Sequence, residues 1–115
     1  MKVLVVIDMQ KDFVNGSLGS EEAVSIVQNV VEKIDGFNGS IAVTHDTHKE
    51  NYMDTQEGKH LPVPHCIDGE DGWQLYGSIS LLCTALTEQM VGVWTTRSSM
   101  PSTKSLEMAI MLRFL

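Results

Sequence analysis

The chain is predicted to fold as an α/β domain, part of a doubly wound, Rossmann-like parallel sheet with helices on both faces. Three observations carry this expectation. Val3-Leu4-Val5-Val6-Ile7 is continuously apolar and rich in β-branched residues, the pattern of a strand covered on both sides. Ala23, Ile26, Val27, Val30, Val31 and Ile34 fall on one helical stripe. Ile41-Ala42-Val43-Thr44 follows as a second short apolar run, so residues 3–44 read as a β-α-β unit with parallel strands and a right-handed crossover.

Asp8 stands at the carboxyl end of the first strand. Ligands of open α/β sheets bind beyond the strand carboxyl ends, so this aspartate is a candidate functional residue. Asn15-Gly16 and Leu18-Gly19 mark a loop. The helix is predicted to begin at Ser20, with Glu21 and Glu22 in its first turn, and to stop at Gly36. After the second strand, Thr44 to Cys66 gathers all four histidines around Pro62, Pro64 and Gly58. Asp46 and His48 sit two apart beyond Ile41-Ala42-Val43, so on an extended backbone they leave on the same side. His65, braced by Pro62 and Pro64, can return to complete a third ligand. Two imidazoles and a carboxylate suit zinc or a similar divalent metal. His45, Lys59 and His60 are expected to be solvated, and Trp73 and Tyr76 to pack down the long stretch from 49 to 77.

Two ordered motifs resemble one family. Thr44-His45-Asp46-Thr47-His48, Asn51-Tyr52, Glu57-Gly58-Lys59, Leu61-Pro62-Val63-Pro64-His65-Cys66-Ile67 and Gly72-Trp73 are similar to the metal loop of nicotinamidase-like cysteine hydrolases of the isochorismatase-like superfamily, and Val3 through Phe13 looks like their opening strand. The resemblance covers roughly residues 2–77. It implies a hydrolase of small amides such as nicotinamide, working through a cysteine acyl-enzyme. In that picture Asp8 is the catalytic base, Asp46, His48 and His65 hold the metal, and Phe13 walls the substrate pocket. The family's lysine and nucleophilic cysteine have no match. Val91-Gly92-Val93-Trp94-Thr95-Thr96-Arg97-Ser98 echoes the strand that carries the cysteine but puts Ser98 in its place, Cys66 belongs to the metal loop, and Cys83 and Lys104 lie in unmatched sequence. A crippled enzyme from a truncated or frame-shifted gene is the expected explanation. A non-enzymatic metal- or ligand-binding remnant and a vinyl-ether hydrolase of the isochorismatase branch are the alternatives.

At 115 residues the chain is large enough for one core, but small for that family's usual sheet. Residues 1–77 are read as the amino-terminal part of the hydrolase domain. Residues 78–115 are read as an unmatched tail, with a strand at Met90 to Thr95 and a short helix from Leu106 onward. Thirteen of the 15 acidic residues precede Gly77, which marks that change in composition. The net charge of −7 argues against a nucleic-acid partner. No apolar run is long enough for a membrane span, and two cysteines without a Cys-x-x-Cys spacing fit a reducing cytoplasm. The apolar ending, Met111-Leu112-Arg113-Phe114-Leu115, calls for a covering surface, so self-association into a homo-oligomer is expected.

Overall fold

The computed structural model describes residues 2–95 and 106–111. In chain order the elements are β1 (Val3–Ile7), α1 (Lys11–Val14), α2 (Glu21–Asp35), β2 (Ser40–His45), α3 (Gln56–His60), α4 (Gly77–Ala85), β3 (Met90–Thr95) and β4 (Leu106–Met111), with single 3-10 turns at Tyr52–Asp54 and Asp71–Trp73. The strands form one sheet in the order β3-β2-β1-β4, and every neighbouring pair is parallel. The architecture is the parallel α/β sheet that the β-α-β pattern predicts, partial and doubly wound in strand order, with the described crossover helices α2 and α4 both on one face.

The helix predicted from Ser20 is α2. Ser20 caps it by accepting a hydrogen bond from the Ala23 amide at 3.1 Å, and Gly36 ends it. Ala23, Val30 and Ile34 are buried from its stripe, against Leu4 and Val6 of β1 and Ile41 and Val43 of β2. Steps from β1 to β2 and from β2 to β3 move the same way across the sheet, so right-handed crossovers set α2 and α4 on one face. Ile79 and Cys83 of α4 accordingly join the same cluster. On the other face Val3, Val5 and Ala42 form a second buried group with Ile7 beside them. Val91 and Val93, on alternate positions of β3, are 56% and 64% exposed.

Three segments differ from the sequence reading. The helix expected from Leu106 onward is a strand, β4, paired parallel with β1. An apolar run this short satisfies helical and strand spacing alike, and the ladder groups of β1 decide in favour of the strand. Gly77–Ala85 is a helix where none was read, because its apolar residues run nearly all round rather than in a stripe. The stretch 49–77 is likewise not structureless. Thr55 caps α3 by accepting from the Gly58 amide at 3.0 Å, and a Cβ at Gly58 would collide with the Tyr52 carbonyl.

This topology places the site. Ile7 pairs with Thr44, so Asp8 and His45-Asp46 leave the sheet at the same edge. Strand order reverses between β3 and β4, making the β1/β4 junction a topological switch point where open α/β sheets form their ligand crevice. Among the described residues no helix is long and apolar enough to cross a membrane.

Candidate metal centre

Asp46 lies just past β2 and is 3% exposed. Its Oδ2 is 3.0 Å from His48 Nε2 and 3.5 Å from His65 Nε2. All three side chains are buried, and their ligand atoms lie within 4.8 Å of one another. The structure therefore brings together the three residues that the sequence singled out. His65 is delivered by a parallel bridge between His48 and Ile67: the His48 amide donates to the Cys66 carbonyl at 2.9 Å, and the Asp68 amide donates to the His48 carbonyl at 2.8 Å.

The imidazoles are oriented as well as near. His65 Nδ1 is 2.8 Å from the Val63 carbonyl, so in the neutral ring the proton sits on Nδ1 and the Nε2 lone pair faces Asp46. His48 turns Nδ1 toward Glu57 Oε2 at 3.9 Å. Tyr52, 1% exposed, packs edge-on against both rings, with centroids 4.7 Å from His48 and 5.1 Å from His65. Its hydroxyl donates to the Leu61 carbonyl at 2.8 Å. Tyr52 and Glu57 stood in the motif without a role, since their use depends on how the loop folds back.

A zinc ion with bonds near 2 Å sets tetrahedral ligands about 3.4 Å apart, and the two Asp46–histidine separations already bracket that spacing. The donor set, one carboxylate oxygen and two imidazole nitrogens, fits a divalent metal. Electrostatics agree. Burial by itself would raise the Asp46 carboxyl, but hydrogen bonding and charge from His65 and His48 outweigh it and hold Asp46 at about 2. Burial pulls His65 down, and the Asp46 carboxylate, the Val63 carbonyl and Asp12 together lift it above its ordinary value.

Asp8 is fully buried. Its Oδ1 accepts from Thr44 Oγ1 at 2.7 Å, and its amide donates to the same hydroxyl at 3.0 Å. Asp8 and Cys66 both adopt left-handed backbone, with φ of 53° and 51°, a conformation that costs free energy and clusters at functional sites. The Asp12 carboxylate holds Cys66 there, accepting from its amide at 2.8 Å. A Cβ at Gly72 would collide with that carboxylate, which explains the glycine. Phe13 lies 5.5 Å from His65, ring centre to ring centre, on the rim of the cluster.

The nucleophile candidates fare differently. Cys66 is fully buried, and burial first, then the Asp46, Asp12 and Asp8 carboxylates, push its thiol far above the usual range. Cys83 faces the core, where burial also raises it. Ser98 and Lys104 lie outside the described residues. His60 and Lys59 are exposed as expected, but His45 is not: it is 7% exposed and stacked on Trp73 at 4.7 Å. Its place in β2 turns it under the loop that Trp73 closes.

A parallel α/β sheet with a buried Asp-His-His cluster beyond its strand ends defines a class of metal-capable α/β proteins. The isochorismatase domain matches residues 2–106, and the chain belongs to that family. Solved structures of similar fold include the nicotinamidase/pyrazinamidase of Bacillus subtilis, 28% identical, TM-score 0.66, covering 84% of this chain and 56% of that one. The pyrazinamidase of Pyrococcus horikoshii in complex with zinc is 29% identical, TM-score 0.62, covering 88% and 54%. The yeast nicotinamidase bound to the inhibitor nicotinaldehyde, 21% identical with TM-score 0.64, covers 84% and 58% and shares the fold. The chain thus spans about half the length of the solved structures it matches. No individually curated protein matches it.

Proposed function

We propose that this chain carries the metal-binding and general-base side of a hydrolase for small amides such as nicotinamide, with zinc as its ion. The single observation that carries the reading is the buried Asp46-His48-His65 cluster beyond the strand ends that also present Asp8. A divalent ion held by these three side chains would supply a Lewis-acidic anchor for a ring nitrogen of the substrate. Zinc is favoured by the mixed nitrogen and oxygen donors and by the zinc complex of the Pyrococcus relative. Asp8 would take and return the proton of the attacking nucleophile, its carboxylate aligned by Thr44. Phe13, beside His65, would wall the pocket.

The chain by itself is proposed to bind metal far better than it hydrolyses amides. A covalent amidase needs a thiolate within reach of its base, and the buried Cys66 is held protonated by burial and three carboxylates. That favours a metal-binding remnant as the second reading. Vinyl-ether hydrolysis is the weaker choice, since it gives the metal cluster no role. Residues 1–77 are read as the amino-terminal part of the hydrolase domain and 78–115 as its continuation, in a cytoplasmic protein.

Elemental analysis of wild type, His48→Ala and His65→Ala, paired with ammonia release from nicotinamide in the presence of zinc, tests both halves. One equivalent of zinc in wild type, lost in both variants, with negligible ammonia, is the expected outcome. Equal metal content in all three overturns the metal reading. Robust turnover abolished by Asp8→Ala and by one of Cys66→Ala, Cys83→Ala or Ser98→Ala would overturn the crippled-enzyme reading and name the nucleophile.

A further inference from the structure

Gln10 follows β1, two residues past Asp8, and is completely buried. Its Oε1 accepts from the Asp46 amide at 2.8 Å, while its Nε2 donates to the Asp46 carbonyl at 2.9 Å and to the Trp73 carbonyl at 2.7 Å. The amide can face only one way, because the Asp46 N–H requires an acceptor and the two carbonyls require a donor. One side chain thus grips both backbone groups of a residue lying just past the last residue of β2.

The gripped residue is the one whose position matters most to the cluster. Asp46 Oδ2 is the single oxygen that both imidazoles face, at 3.0 and 3.5 Å. The third bond recruits Trp73, which holds the residues on either side of Asp46. Its indole Nε1 donates to Thr47 Oγ1 at 2.8 Å, and its ring stacks on His45 at 4.7 Å. Residues 45, 46 and 47 are therefore fixed in turn, two of them through Trp73 and the middle one by Gln10 directly. The stretch after Trp73 is tied to the Gln10 backbone by an antiparallel bridge between Gln10 and Leu75 and by the Lys11 amide, which donates to the Gln74 carbonyl at 2.9 Å.

We propose that Gln10 is a positioning residue for metal binding, acting through the Asp46 backbone to hold the shared carboxylate oxygen between His48 and His65. The proposal rests on the metal reading above. Outer-shell partners of metal ligands typically contribute about 10- to 100-fold in affinity, and a clamp on both backbone groups of a ligand belongs in that range. Gln10→Met keeps the length of the side chain and removes all three hydrogen bonds. Gln10→Glu keeps the acceptor for the Asp46 amide but sets a carboxylate against two carbonyls.

The test is competition for zinc against a chromophoric chelator, then cobalt(II) absorption, on the full chain in wild type, Gln10→Met, Gln10→Glu and Ile34→Val. Ile34 is a buried α2 residue in the core away from the cluster, so Ile34→Val controls for lost stability alone. Zinc affinity lower by about 10- to 100-fold in both Gln10 variants, with an altered cobalt band, and both readouts unchanged in Ile34→Val, is the expected result. Should Gln10→Met fail to melt cooperatively, Gln10→Glu decides by the same readouts. Wild-type affinity and an unchanged band in a folded Gln10 variant overturn the proposal alone, and so does an equal loss in Ile34→Val. A wild type that takes up neither zinc nor cobalt overturns the metal reading and this proposal together.

Discussion

Removing the Thr44 hydroxyl should cost more than its size suggests. Thr44 is fully buried, and its Oγ1 donates to Asp8 Oδ1 at 2.7 Å while accepting from the Asp8 amide at 3.0 Å. In Thr44→Val the shape is kept and both bonds go. The amide retains the Thr44 carbonyl at 3.2 Å, so that loss is small. The hydroxyl-to-carboxylate bond is different, because a hydrogen bond to a charged group is worth about 1.5–3 kcal/mol, and a buried carboxylate that loses it has no water to replace it. The expected destabilisation is about 2 kcal/mol, or roughly 10 °C in melting temperature for a domain of this size. Thr44→Ser is the control. It keeps the hydroxyl and loses one methyl, at a cost of about 1 kcal/mol. Thermal and urea melts of the three proteins at neutral pH give the comparison. A valine variant no less stable than the serine variant would refute the reasoning, and with it the idea that Thr44 holds Asp8 in place.

Two further expectations concern the apo chain. Asp46 ionises in the fold at about 2 against an ordinary 3.8, so its contribution to stability is complete above about pH 4 and is lost as pH falls toward 2. His65 is raised above 6.5, so its contribution is complete below that value and is lost as pH rises through the folded pKa. The Asp46–His65 pair should therefore contribute most between about pH 4 and 6.5, against the buried His45, which burial holds below its ordinary value and which works the other way as pH falls; zinc, which competes with the His65 proton, should move the optimum upward. An Asp46→Asn variant that lowers the apo melting temperature no more at pH 5 than at pH 8 would contradict this. The exposed Val91 and Val93 of β3 should drive self-association, so sedimentation should find oligomers that Val91→Lys with Val93→Lys converts toward monomer; a clean wild-type monomer would disprove it.

The strength of the sequence lay where local pattern and global fold agree. The stripe of α2, with Ser20 and Gly36 at its ends, has a period that only a helix satisfies, the short β-branched runs on either side of it read as strands, and that order forces parallel pairing. Once Asp8 and Asp46 follow parallel strands, they must share an edge, so the juxtaposition of these candidate residues was legible in the sequence. His48 and His65 were legible as ligand candidates because histidines between prolines and glycines suit a site better than a core. What only the tertiary structure decided was long-range pairing. Leu106–Met111 became a strand because β1 offers it a ladder. His45 became buried because Trp73 closes over it. Gln10 stood in the opening motif as an unremarked polar residue, because its three hydrogen bonds reach 36 and 63 residues along the chain. Spacing in the sequence fixes which side chains share a face of one element. It carries no information about which backbone carbonyl a buried amide will meet across two of them.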